Sequence, residues 1–143
     1  MEDHTIGLLQ ECSQGCKMGI KSINQISGYV SDQGLKRIIE KYRGEHQRIE
    51  TEIGHLLNRH GKESKDPEMM ATAMSWVSTE MKMMMKDSDK QVAKIMTEGC
   101  DMGIRTISGF INQYTGASAA SIGLAKDLVK MEEKFREEMK PYL

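Results

Sequence analysis

The residues with chemistry to offer are three cysteines and a few histidines. Two of the cysteines fall in a pattern that occurs twice. Gly15-Cys16-Lys17-Met18-Gly19-Ile20-Lys21-Ser22-Ile23 returns as Gly99-Cys100-Asp101-Met102-Gly103-Ile104-Arg105-Thr106-Ile107, an offset of 84 residues (100 minus 16). Cys16 and Cys100 therefore hold equivalent places, and His46 lies as far after the first turn as Cys16 lies before it. With helices of about 26 residues rising about 1.5 Å each, all three fall within roughly one turn of the middle of a helical bundle. Met131 or Glu132 comes to a similar level. Two thiolates, an imidazole and a thioether form a soft donor set that would take Zn or Cu(I), or serve as a thiol redox site. The opposing reading is packing, because cysteine is among the most buried residue types and no CxxC or paired-His spacing supports a metal.

A second metal-type spacing, Glu52-Ile53-Gly54-His55, is the single Glu-x-x-His in the chain. At roughly 100° per residue, the face defined by Tyr42, Ile49 and Ile53 leaves His55 nearly opposite the core and Glu52 at its edge. The inward histidine of that helix is His46. Three residues before it stands Arg43, where a metal site would need a carboxylate. Glu11 and Glu98 are expected to point away from the core, and His4 and His60, at element ends, to be solvated. Among 13 methionines, Met69, Met70, Met74, Met81, Met83, Met84 and Met85 form a run that suits a Cu(I) ligand run, an adaptable docking surface or gap-filling packing. There is no Ser/His/Asp arrangement, no Gly-rich phosphate loop after a strand and no pair of inward carboxylates.

These side chains need helices to position them. Leu8, Leu9, Cys12, Cys16, Gly19, Ile23, Ile26 and Val30 recur at three-and-four spacing, predicting a first helix over about 5–30. Asp32 is a candidate N-cap for a second helix over about 32–60, which carries Leu35, Ile39, Tyr42, His46, Ile49, Ile53 and Leu57 until Gly61 stops it. Asp66-Pro67-Glu68 opens a third segment over about 67–86, long enough to cross the bundle. Ser88 with Gln91 is a capping-box pattern for a helix over about 88–114, and the last helix runs over about 118–140. The second hairpin repeats the first, with Tyr42, Ile49 and Ile53 matching Leu128, Phe135 and Met139 if two residues are inserted in its turn. Gly15/Gly19 and Gly99/Gly103 are expected to let the first and third bundle helices approach closely, which would fill the space of a metal pair.

Two hairpins joined by one long crossover resemble the ferritin-like superfamily. More narrowly, the chain resembles an uncharacterised bacterial ferritin-like family with an extra tryptophan-bearing helix between the hairpins, here Ala73-Met74-Ser75-Trp76-Val77. The resemblance implies an all-α, ferritin-like four-helix bundle occupying residues 1–143 as one domain. It also implies a test: catalytic members bring one Glu from each of two helices and a Glu-x-x-His pair from each of the other two. That set is missing here, and helix 4 has no histidine.

Composition sets the remaining bounds. A length of 143 residues suffices for one core without disulfides. Twenty basic against 21 acidic side chains give a net charge of -1, so neither a nucleic-acid stripe nor a polybasic membrane patch is expected. No apolar run approaches the roughly 20 residues of a membrane span, and an acidic start with an odd number of cysteines fits a cytoplasmic protein with free thiols. The expected function is a non-enzymatic structural or interaction bundle without cofactor, oligomeric or partner-binding through the Met-rich crossover. The alternative is the soft-metal or thiol site at Cys16, Cys100 and His46.

Overall fold

Helix α1 spans Glu2–Ile26, α2 Gln33–Arg59, α3 Asp89–Gln113 and α4 Ala119–Met139. The computed structural model describes residues 2–64 and 88–143. The expected crossover over 67–86, with Trp76 and the methionine run, lies outside the described residues. Among the described residues there is no strand, and no helix is long and apolar enough to cross a membrane.

The helix ends follow local chemistry. Helix α1 begins three residues earlier than the apolar spacing suggests, because Glu2 and Asp3 suit the positive end of a helix dipole. It ends at Ile26 and not near Val30. There Ser27 Oγ donates to the Ile23 carbonyl at 2.6 Å, accepts from Arg43 Nη2 at 2.9 Å, and the chain tightens into a 3-10 turn over Ser27–Tyr29. Asp32 caps α2 as expected, its carboxylate accepting from the Leu35 N–H at 2.8 Å. Gly61, at φ +68°, closes the same helix: Lys62 N–H bonds the Leu57 carbonyl and Gly61 N–H that of Asn58, both at 3.0 Å. Ser118 caps α4 by accepting from the Ser121 N–H at 3.2 Å. The capping box at α3 is replaced by another arrangement. The Ser88 side chain makes no capping bond to the helix, and Asp89 reaches across to the first hairpin.

Each hairpin turn is tied to the start of a helix in the other hairpin. The Asp89 carboxylate accepts from the N–H groups of Ser31 and Asp32 at 2.7 and 3.0 Å. At the opposite end Thr5 Oγ1 accepts from the Ser118 N–H at 2.8 Å. Thr5 and Asp89 are 84 residues apart (89 minus 5), and the two N-caps, Asp32 and Ser118, are 86 apart (118 minus 32). His4 is half-buried and bonded within the protein, where full solvation was expected. Its Nδ1 accepts from the Gly116 N–H at 3.0 Å and its ring meets the Tyr114 ring edge-on.

Helix α1 packs along α2 and α3 along α4. The hairpins then join through α2 on α4 and α1 on α3, while α1 and α4 also touch across the bundle. The core between them contains Leu8, Leu9, Ile23, Leu35, Ile49, Ile53, Ile95, Leu128 and Met139, each fully buried. A buried aliphatic side chain contributes about 1.5–3 kcal/mol, so this layer supplies the main drive for the bundle and holds rigid whatever polar group sits inside it.

Candidate functional site

One polar side chain from α2 and one from α4 meet in the middle of that core. His46 is 2% exposed and Glu132 8% exposed. His46 Nδ1 lies 2.6 Å from the Tyr42 carbonyl, and His46 Nε2 lies 2.5 Å from Glu132 Oε1. A carbonyl only accepts, so Nδ1 carries a hydrogen and donates to Tyr42. Burial opposes a charge on the ring, but the Glu132 charge, the bond to Glu132, the Tyr42 carbonyl and the charge of Glu45 outweigh it, and the His46 pKa lies above the ordinary imidazole value. One proton lies between Nε2 and Oε1, and the Glu132 charge that raises the His46 pKa favours its place on Nε2, as an imidazolium–carboxylate pair. Phe135 closes the site, with its ring edge-on to His46 at 6.3 Å and stacked on Tyr42 at 4.5 Å.

The pair has space because two glycines face it. A Cβ on Gly19 would stand 2.7 Å from His46 Cδ2 and Nε2, and one on Gly103 would stand 3.5 Å from Glu132 Oε2. These are equivalent positions of the repeated segment. The expectation that the glycines press α1 against α3 is thus corrected: Gly19 and Gly103 admit side chains from α2 and α4. A Cβ on Gly15 would only touch Ile107 at 3.4 Å, and one on Gly99 would meet nothing within 4 Å.

Between α1 and α3 lies a cavity of about 100 Å³. Its wall takes Gly15 with Gly99, Met18 with Met102, Gly19 with Gly103 and Ser22 with Thr106, which are matched positions of the two segments. The Cys16 and Cys100 positions point into the core instead. Glu132 reaches the cavity from the side, and Glu11, expected to point away, lines it and is half-buried. Burial raises the Glu11 pKa above the ordinary carboxylate value.

The thiols are all free and buried. Burial and the Glu11 charge push Cys12 up to about 12. Burial, Glu50, Cys12 and Glu132 raise Cys16 further, and burial together with the charge and hydrogen bond of Glu132 raises Cys100. At neutral pH these are thiols, not nucleophilic thiolates. His46 and Cys100 thus meet on one carboxylate, and Cys16 lies close enough to feel its charge.

A di-iron centre does not fit these residues. Glu52 and His55 are exposed, and Glu98 is half-buried. Arg43 gives its guanidinium to Glu40 and Ser27. Among the described residues the one buried imidazole and the one buried carboxylate, His46 and Glu132, are already bonded to each other. Among the described residues no three His, Cys, Asp or Glu side chains form a group that could hold a metal ion.

The sequence reading placed His46 inward and Glu132 only at a similar level. Positions 46 and 132 share the 86-residue offset that relates Tyr42 to Leu128 and Ile49 to Phe135, a correspondence that does not by itself pair them. No protein-family model, curated protein or solved structure matches the chain.

Proposed function

We propose that this chain is a ferritin-like bundle of two duplicated hairpins that lacks the di-iron ligand set and acts by binding, as a non-enzymatic structural or interaction protein in the cytoplasm. The observation that carries the reading is the His46–Glu132 pair. It occupies the level where catalytic bundles converge metal ligands, and it is satisfied internally, with Nδ1 on Tyr42, Nε2 on Glu132 and the Cys100 thiol on the same carboxylate. Such a pair fixes the register of α2 against α4 but leaves no donor free for substrate. The matched ties Thr5 to Ser118 and Asp89 to Asp32 support duplication. The contact through the Met-rich crossover belongs to the same reading, although residues 67–86 lie outside those described.

A second reading is kept alive by the convergence of His46 and Cys100 on Glu132. A soft cation such as Zn or Cu(I) entering there would displace the Nε2 and thiol protons and recruit Cys16. Metal analysis of untagged protein separates the two. The first reading expects less than a tenth of an equivalent and no change with Cys16→Ala and Cys100→Ala together. Stoichiometric Zn or Cu lost in that variant would overturn it. Light scattering on the same sample reads the oligomeric state.

A further inference from the structure

The geometry points to the cavity between α1 and α3 as a binding site for a small organic ammonium ion, a ligand with a compact apolar body and one cationic nitrogen. Three observations carry this. The cavity is of small-ligand size: about 100 Å³ is two-thirds of a 150 Å³ apolar cavity that holds benzene, so it takes the apolar body alone and leaves the charged arm at the edge where Glu11 stands. Its wall is apolar and adaptable, with the thioethers of Met18, Met96 and Met102 beside the Phe110 ring, groups that accept both hydrocarbon and the face of a cation.

The charge on that wall is of one sign. Glu11 and Glu132 line the cavity, and no lysine or arginine among the described residues does. Glu132 is paired with His46, so the carboxylate on that wall with no cationic partner among the described residues is Glu11, half-buried at the edge of an apolar space. A carboxylate in that setting favours a cation that brings its own apolar body, because the ammonium gains a charge-assisted hydrogen bond while the body leaves water. An anionic ligand would meet the Glu11 carboxylate with no lysine or arginine among the described lining residues to offset it, and is excluded on the same ground. A neutral ligand would fill the space but leave Glu11 partly desolvated.

The glycines are the second half of the design. Gly15, Gly19, Gly99 and Gly103 each cost about 1 kcal/mol of helix propensity. Only Gly19 and Gly103 are explained by the buried pair. Gly99 faces open space, and that space is the cavity.

This inference rests on the cavity and not on the metal-free reading of the core, so a chain found to bind Zn would leave it standing. The test is a titration of the full chain, with ¹³C-labelled methionine methyls, against benzylammonium and against its neutral analogue benzyl alcohol. Saturable shifts on Met18, Met96 and Met102 are expected with benzylammonium, about tenfold weaker in Glu11→Gln while benzyl alcohol is unaffected. Gly99→Leu, at a cavity-lining position where a Cβ would meet nothing within 4 Å, should abolish binding of both. The His46 ring signals, unchanged in each variant, establish that the core is intact. Absence of saturable shifts in the unaltered chain, equal affinity for the two probes, or binding indifferent to Glu11→Gln would each overturn the proposal.

Discussion

His46 and Glu132 meet at 2.5 Å in the centre of the bundle although 86 residues separate them, the same interval that separates the helix-capping residues Asp32 and Ser118. Positions 86 residues apart on α2 and α4 thus carry an imidazole and a carboxylate that satisfy each other, and Gly19 and Gly103, 84 residues apart on α1 and α3, make room for them. A carboxylate at both positions would repel, and a neutral histidine at both, each donating Nδ1–H to its own helix, would leave two Nε2 atoms facing each other without a donor. The pair therefore requires the two hairpins to differ at one matched site.

The pair makes stability depend on pH with a definite sign. The folded pKa of His46 lies above the unfolded value of about 6.5, so its contribution is fully present below that value and is lost as pH rises through the folded pKa. Urea unfolding from pH 5.5 to 8.5 should show the unaltered chain losing stability over this range and Glu132→Gln losing less, because the raised His46 pKa depends on the Glu132 charge. Parallel curves for the two proteins would contradict the assignment of the proton. Glu132→Ala, which strands His46, should cost about 3–5 kcal/mol at pH 6.

Two glycines of the repeated segment should answer differently to the same substitution. Gly19→Ala places a Cβ 2.7 Å from the His46 ring, which must move, and should destabilise by about 1–3 kcal/mol. Gly99→Ala meets nothing within 4 Å and should stabilise by about 0.5–1 kcal/mol through helix propensity. Denaturation midpoints of the two variants measure this directly. Equal effects would show that the glycines serve helix packing alone.

The residues carried much of this architecture openly. The three-and-four spacing along Leu35, Ile39, Tyr42, Ile49 and Ile53 fixed the buried face of α2, and Asp32, Gly61 and Ser118 marked ends that agree with the observed ones to within a residue or two. The inward place of His46 followed from the same face. What could not be read was which partner it takes, because helical periodicity gives a side chain's direction on its own helix and not the residue opposite. The role of Gly19 was misjudged for a related reason: a small residue signals close approach, but by a backbone or by a side chain equally well. Asp89 was hidden in the same way, since a first-turn acid fits the helix dipole and nothing local shows that it reaches the turn of the other hairpin.

The ties at the two ends should weigh similarly. Thr5→Val removes the acceptor of the Ser118 N–H, and Asp89→Ala removes the acceptor shared by Ser31 and Asp32. Each should cost about 1–2 kcal/mol, with Asp89→Ala the larger because two bonds and a charge are lost. Hydrogen exchange should then quicken at Ser118 in the first variant and at Ser31 and Asp32 in the second. Unchanged exchange at those amides would show that the bonds do not order the turns.

The thiols should be silent in the folded protein. With Cys12, Cys16 and Cys100 all buried and their pKa values raised, a thiol reagent at pH 8 should modify none of them on a timescale at which the unfolded chain gives three equivalents. Rapid native modification of Cys16 or Cys100 would favour the thiol redox reading.

The most direct test of the central claim is a ¹H–¹⁵N spectrum of the histidine rings at neutral pH, recorded without metal and then with one equivalent of Zn. A self-satisfied pair predicts that both ring nitrogens of His46 carry protons, with shifts of an imidazolium, and that Zn leaves them unchanged. A neutral His46 ring, or an Nε2 that loses its proton and takes the shift of a metal-bound nitrogen when Zn is added, would contradict it.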